Sequence, residues 1–254
     1  MRLIISIIRW FFTPDWRQAK LFLLGVLLLV AMGAVHRATL SWSIAQDPRN
    51  QDFATWAGED SAEKASLITV QRDPCPGAPF ILPTDGFIGL LFADPRGPYS
   101  TAHRHQGIDI FTDQDPGVQP VYAAYDGYIS RDASWVSSVI QRVPSDPLNP
   151  TQQIWIYYTH MADEDGNDFI EPAFDRGVRE LFVKQGTLLG YVGDYDGNKP
   201  SQIWTHLHLS VVLDDNGSFA NEYFIDNTLD PSIYLGIDVH YDSAEAGAAT
   251  CRNR

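Results

Sequence analysis

The chain has 254 residues, 44% of them hydrophobic, with 18 Lys and Arg set against 32 Asp and Glu. Such a length allows one large domain or two small ones, and the composition is ordinary for a globular chain. Residues 1–37 hold five of the basic residues and one acid, so the remainder sets 13 basic against 31 acidic residues, a net of −18; phosphates of nucleic acids and anionic lipids repel such a surface, which excludes both as partners of that region.

At the N-terminus Arg2, Arg9, Arg17 and Lys20, opposed only by Asp15, precede the uncharged run Leu21 to Val35. Its 15 residues fall short of the ~20 that cross a bilayer comfortably and lie within the range of a signal-peptide core. Lys20 and Arg37 can snorkel to the two interfaces, and Trp10, Trp16 and Trp42 suit the headgroup region. Ser43-Ile44-Ala45 would serve as a cleavage site, so secretion after signal cleavage is the alternative. The long preamble with its amphipathic Leu3 to Ile8 segment favours an uncleaved, single-pass anchor, the positive flank cytoplasmic and the rest of the chain extracytoplasmic.

Residues 38–78 are mixed and polar, and read as a spacer with one short helix near Ser61 to Val70, closed by the turn cluster Asp73-Pro74-Cys75-Pro76-Gly77. Cys75 and Cys251 are the only cysteines; in an exported chain they read as one disulfide tying the spacer to the tail, against the alternative of two unpaired thiols. No Cys-x-x-Cys knuckle exists, so a zinc ion would have to rely on histidine and carboxylate.

From Phe80 the pattern is strand and turn. Strands are predicted over Phe80 to Phe92, Ile108 to Phe111, Val121 to Ser130, Trp135 to Val143, Ile154 to His160, Leu181 to Lys184 and Thr187 to Val192. The long connections Arg142 to Gln153 and Met161 to Arg179 are expected to wall a groove. Asp163 to Asp168 is dense in carboxylates, but a calcium loop needs glutamate at its twelfth position, where Phe174 stands; a solvated turn is the better reading.

The apolar run Trp204 to Leu213 carries His206-Leu207-His208. On a strand, the period of two sends both imidazoles to one face, half a metal site. Alone, such a pair is more often two surface histidines. About a hundred residues upstream, His105-Gln106-Gly107-Ile108-Asp109 offers one more nitrogen and one oxygen around a glycine. Two imidazoles and one carboxylate leave a fourth tetrahedral position open, the mark of a catalytic zinc site.

The order His105-x-Gly107-x-Asp109, then Gly127 in its strand, Tyr158-Thr159-His160, Val183 to Gly193 and His206-Leu207-His208 resembles the LytM-like, lysostaphin-type zinc endopeptidases of peptidoglycan, the M23 family. The resemblance covers residues 79–237. It implies a mainly β, antiparallel core of the duplicated-hybrid-motif type; by composition that core is preceded by residues 1–37 (cytoplasmic flank and membrane anchor or signal segment) and 38–78 (spacer), and followed by a loose tail, 238–254. It also implies His105, Asp109 and His208 as ligands of one zinc ion and His160 and His206 as unligated catalytic histidines. Tyr99 would be a donor to the tetrahedral oxygen or a packing tyrosine. His103 lies close enough to compete as ligand but lacks the Gly-x-Asp partner. The implied substrate is peptidoglycan peptide, with regulation by a protein partner left open; the alternative is a catalytically silent relative that binds the wall or activates another hydrolase. The stretch Asp194 to Thr205 departs from the family's usual short connection before the His-Leu-His motif.

Overall fold

The structure is a computed structural model. It describes residues 19, 21–23, 25–33, 35, 48–58, 62–70, 72–95, 103–201, 203–241 and 247–252. The chain divides into two units, Met1–Gln51 and Asp52–Arg254. In the first, the described residues between 19 and 35 are helical and expose Leu21, Leu23, Leu27 and Leu29. No helix among the described residues is long and apolar enough to cross a membrane. Residues 1–18 and 36–47, the flanks of the expected anchor with its cleavage site, lie outside the described residues, as does Tyr99.

The second unit is built on one main antiparallel sheet, as the resemblance implies. Its path runs β1 (Phe87–Leu90), β2 (Ile108–Phe111), β9 (His206–Asp215), β6 (Ile154–Thr159), β5 (Val139–Val143), β4 (Gly127–Ser130) and β7 (Leu181–Val183). Two short strands, β10 (Ser218–Phe219) and β11 (Thr228–Leu229), also pair with β9. A separate pair joins β3 (Pro120–Tyr122) to β8 (Leu188–Tyr191). The predicted strand Val121 to Ser130 is therefore two strands in two sheets. At the break Ala123 N–H donates to the Thr187 carbonyl and Ala124 N–H to the Tyr158 hydroxyl.

Alternation along the three central strands decides what each face of the sheet becomes. Ile108 and Ile110 of β2, Ile154, Ile156 and Tyr158 of β6, and Leu207, Leu209 and Val211 of β9 enter the main hydrophobic core, with Val121 of β3 and Leu189 of β8 in the same cluster. The other face is apolar only towards its ends. One end gathers Trp56, Leu67, Phe87 and Phe111; the other gathers Ile140, Trp155, Val212 and Ala220. Between them stand the intervening polar residues of the same strands: Asp109, His206, His208, Ser210 and Thr159.

Two readings of the sequence need correction here. The expected spacer is not all spacer: α1 (Pro48–Ala57) sends Phe53 and Trp56, spaced i and i+3, onto Phe87 and Phe111, and α2 (Ala62–Ser66) is followed by the buried Leu67 and by Thr69, which bridges to Gly86. Two aromatics one helical turn apart suffice to dock an otherwise polar segment. The tail is not loose over its described residues 247–252. Cys251 is disulfide-bonded to Cys75 as expected, Arg252 N–H donates to Gly236 and Asp238 N–H to Thr250.

Arg131, at the end of β4, is 1% exposed and ties the long connection 161–179 to the sheet. Its guanidinium lies 3.0 Å from Asp168 and donates to the carbonyls of Trp135, Val136 and Phe174. Asp168 keeps a second partner in Arg176 at 3.5 Å, but the carbonyls of Trp135, Val136 and Phe174 would lose their donor, so Arg131→Met is expected to destabilise the protein by about 2–3 kcal/mol. Urea denaturation checks this; a midpoint unchanged from wild type would show that the guanidinium is dispensable.

Candidate metal centre

The centre grows from the register of β2 against β9, which sets Asp109 opposite His208 and Phe111 opposite His206. Directly opposed residues on one face interact through their side chains. Asp109 Oδ1 accordingly lies 2.8 Å from His208 Nδ1, and the Phe111 ring stacks on His206 with centroids 4.9 Å apart. His105 comes from just before β2, separated from it by Gly107. A Cβ at Gly107 would stand 2.2 Å from the Leu209 carbonyl oxygen, so this glycine serves close approach of the ligand-bearing segment to β9. His105, Asp109, His206 and His208 are between 1% and 7% exposed.

Hydrogen bonds fix which nitrogen each ring presents. A carbonyl oxygen only accepts, so a ring nitrogen bonded to one carries the proton. His105 Nδ1 bonds the Leu91 carbonyl at 3.1 Å, His160 Nδ1 that of Tyr195 at 2.7 Å, and His206 Nδ1 that of Trp204 at 2.7 Å. All three therefore keep the Nε2 lone pair free. His208 is reversed: Nε2 bonds Glu222 at 2.9 Å, and Nδ1 turns to Asp109. His160 sits just beyond β6 at φ +72°, a left-handed conformation uncommon outside glycine; such strain concentrates at functional sites. Its ring lies 4.5 Å from that of His206 and 6.4 Å from that of His208, centroid to centroid.

Among the described residues, His105, Asp109 and His208 form the group able to hold a metal ion. Their donor atoms make a near-equilateral triangle: His105 Nε2 to His208 Nδ1 3.0 Å, His105 Nε2 to Asp109 Oδ1 3.1 Å, and Asp109 Oδ1 to His208 Nδ1 2.8 Å. Donors ~2.1 Å from one tetrahedral zinc ion stand ~3.4 Å apart, so a small expansion of this triangle accommodates a shared ion.

Electrostatics agree with a cation at that spot. Burial resists ionisation of Asp109, but the surrounding imidazoles of His105, His206 and His208 outweigh it and hold the carboxyl well below its ordinary value. Burial likewise resists a charged His208, yet the hydrogen bonds to Asp109 and Glu222 carry it up to about 10. Of the two protons on His208, that on Nε2 answers Glu222 and that on Nδ1 answers Asp109, and a metal cation would take the place of the second.

The other two imidazoles stay neutral. Burial lowers His160 to about 3, helped by His206 and opposed by the Tyr195 carbonyl; burial also lowers His206, with Asp109 opposing. His160 has a folded value below its unfolded one of ~6.5, so the unfolded chain gains the proton first and stability falls as pH drops from ~6.5 toward 3. Between pH 7 and 5 the metal-free protein is expected to lose about 1–2 kcal/mol through this residue. Urea midpoints of wild type and His160→Gln at both pH values check it; an equal drop in the two proteins refutes the assignment.

The centre opens into a cleft of ≈ 720 Å³ whose lining includes Phe53, Leu90, Tyr157, Asp196, Trp204 and Glu222. Of the residues singled out in the sequence, His105, Asp109, His160, His206 and His208 converge here. His103 does not: its ring packs on Tyr223, centroids 4.0 Å apart, and bonds the Gln106 amide. Glu222 and Phe53 carry no motif and belong to the site through tertiary contact alone.

No family model matches the sequence, and no curated relative does. Among solved structures, the catalytic domain of the antimicrobial peptidase lysostaphin from Staphylococcus simulans is 20% identical over 59% of this chain and 90% of its own, with a TM-score of 0.37. Of the longer lysostaphin chain this one spans 49%, at 17% identity and a TM-score of 0.38. A variant catalytic domain of the prophage-encoded M23 protein EnpA from Enterococcus faecalis is 23% identical over 60% of this chain and 96% of its own, with a TM-score of 0.34.

Proposed function

We propose that this chain is a zinc-dependent endopeptidase of the M23 type that hydrolyses amide bonds in peptidoglycan stems or cross-bridges, exported and held at the membrane through residues 1–37. One observation carries the reading: three donors from β9 and from the β2 segment form a metal-sized triangle beside two neutral imidazoles with free Nε2 atoms. The ordered motifs from His105 to His208 support wall peptide as the substrate. The basic flank ahead of an apolar run supports export.

His105 Nε2, Asp109 Oδ1 and His208 Nδ1 would hold the ion. Zinc bound there supplies a Lewis acid and a water acidified to a pKa of ~7. His206, held by the Trp204 carbonyl and backed by Phe111, presents Nε2 where it can take a proton from the attacking water and return it to the leaving amine. His160, fixed by the Tyr195 carbonyl, faces the same space from the end of β6, and its neutral Nε2 orients water by accepting a hydrogen bond from it.

The test is hydrolysis by the full chain. Release of new amino groups from purified sacculi, stopped by a chelator and restored by zinc, is the expected result. A chain that binds sacculi but releases nothing would be a silent relative, and one that cuts casein but not wall peptides a general peptidase; either outcome overturns the proposal.

A further inference from the structure

Glu222 reaches the centre from the loop after β10. Its carboxylate accepts from His208 Nε2 at 2.9 Å, on the side of the ring away from Asp109. The loop that carries it is itself tied to the other ligand segment: the Gln106 amide donates to the Tyr223 carbonyl at 2.9 Å, and Gln106 adjoins His105. Asn221 holds the turn by accepting from Tyr223 N–H at 3.1 Å and, through its carbonyl, from Asn227 at 2.8 Å. One short segment therefore braces both halves of the donor triangle.

The contrast among the four rings gives this brace a purpose. His105, His160 and His206 are each pinned by a neutral backbone carbonyl, and each presents Nε2. His208 alone is pinned by a carboxylate, and it alone presents Nδ1 to the donor triangle. A charged acceptor on the remote N–H fixes that tautomer and the ring rotation, and makes the free nitrogen a stronger donor.

Resting on the metal-site reading above, we propose that Glu222 is a positioning residue that sets the tautomer and orientation of His208 and thereby the affinity of the centre for its ion. Partners of this kind are worth 10–100-fold in metal affinity. The experiment is a zinc titration of the metal-free full chain against a chromophoric chelator, with circular dichroism to establish folding. Glu222→Ala is expected to weaken zinc binding ~10–100-fold, and Glu222→Gln, which keeps an acceptor without the charge, to fall between it and wild type. Cobalt in place of zinc gives a second readout, a visible absorption band expected to shift in both variants. Folded Glu222→Ala that binds zinc within about twofold of wild type, with an unshifted cobalt band, overturns the role of Glu222 alone. Should that variant not fold, Glu222→Gln decides by the same threshold. Wild-type protein that takes up no stoichiometric zinc overturns the centre itself, and this inference with it.

Discussion

His208→Ala is expected to abolish bound zinc and to cut the release of amino groups from sacculi by ~10³-fold or more. The size follows from what the ion contributes, several kcal/mol of charge stabilisation, at a tenfold in rate for each ~1.4 kcal/mol. It also follows from where His208 stands. The ring supplies one of three donors, it separates Asp109 from Glu222, and the neighbouring His103 is turned to Tyr223 and away from the vacated position. Truncation leaves Asp109 short of a partner, and the remaining pair of donors cannot define a coordination sphere. The backbone is expected to survive, since β9 is held between β2 and β6 by its ladders and by Leu207, Leu209 and Val211 on the opposite face. Metal analysis and the amino-group assay on the same preparation decide the matter. Retained zinc together with unchanged release would remove His208 from the ligand set.

His206→Ala and His160→Ala are expected to behave differently: zinc stays at one per chain while kcat falls ~10²–10⁴-fold, the span of general acid–base catalysis. Neither ring contributes to the donor triangle; His206 Nε2 lies 3.7 Å from Asp109 Oδ2, and the His160 ring centroid is 6.4 Å from that of His208. His206 has the firmer support of the two, with Trp204 behind one nitrogen and Phe111 against its face, so its loss is expected to be the larger. Single-turnover assays on variants of matched zinc content give the comparison. A variant that loses its zinc has a ligand role, and one that keeps full activity has none.

The parts of this molecule that follow a period are legible in its sequence. β9 can be placed because Leu207, Leu209 and Val211 alternate with His206, His208 and Ser210, and that same alternation puts both imidazoles on the face opposite the main core. The pairing of His105 and Asp109 with this strand could be anticipated only through the ordered motifs, since nothing in the spacing itself brings β2 beside β9. Three features escape any such reading. Glu222 sits in a turn with ordinary polar neighbours, and its bond to His208 exists only after β9 has bent back through β10. Phe53 and Trp56 look like isolated aromatics in a polar stretch until Phe87 and Phe111 supply the surface they cover. Gly107 looks like a turn residue, whereas the nearby Leu209 carbonyl is what demands it.

The Cys75–Cys251 bond spans a sequence separation of 176, and His105, Asp109, His160, His206, His208 and Glu222 all fall inside the ring it closes. A single proteolytic cut within the exposed residues 148–151 would therefore produce two pieces still covalently joined. Neither piece holds the full donor set, yet the clip keeps both at high effective concentration, so the sheet has the means to remain assembled around its ion. Damage of that kind would register on a reducing gel before it registered in the chemistry.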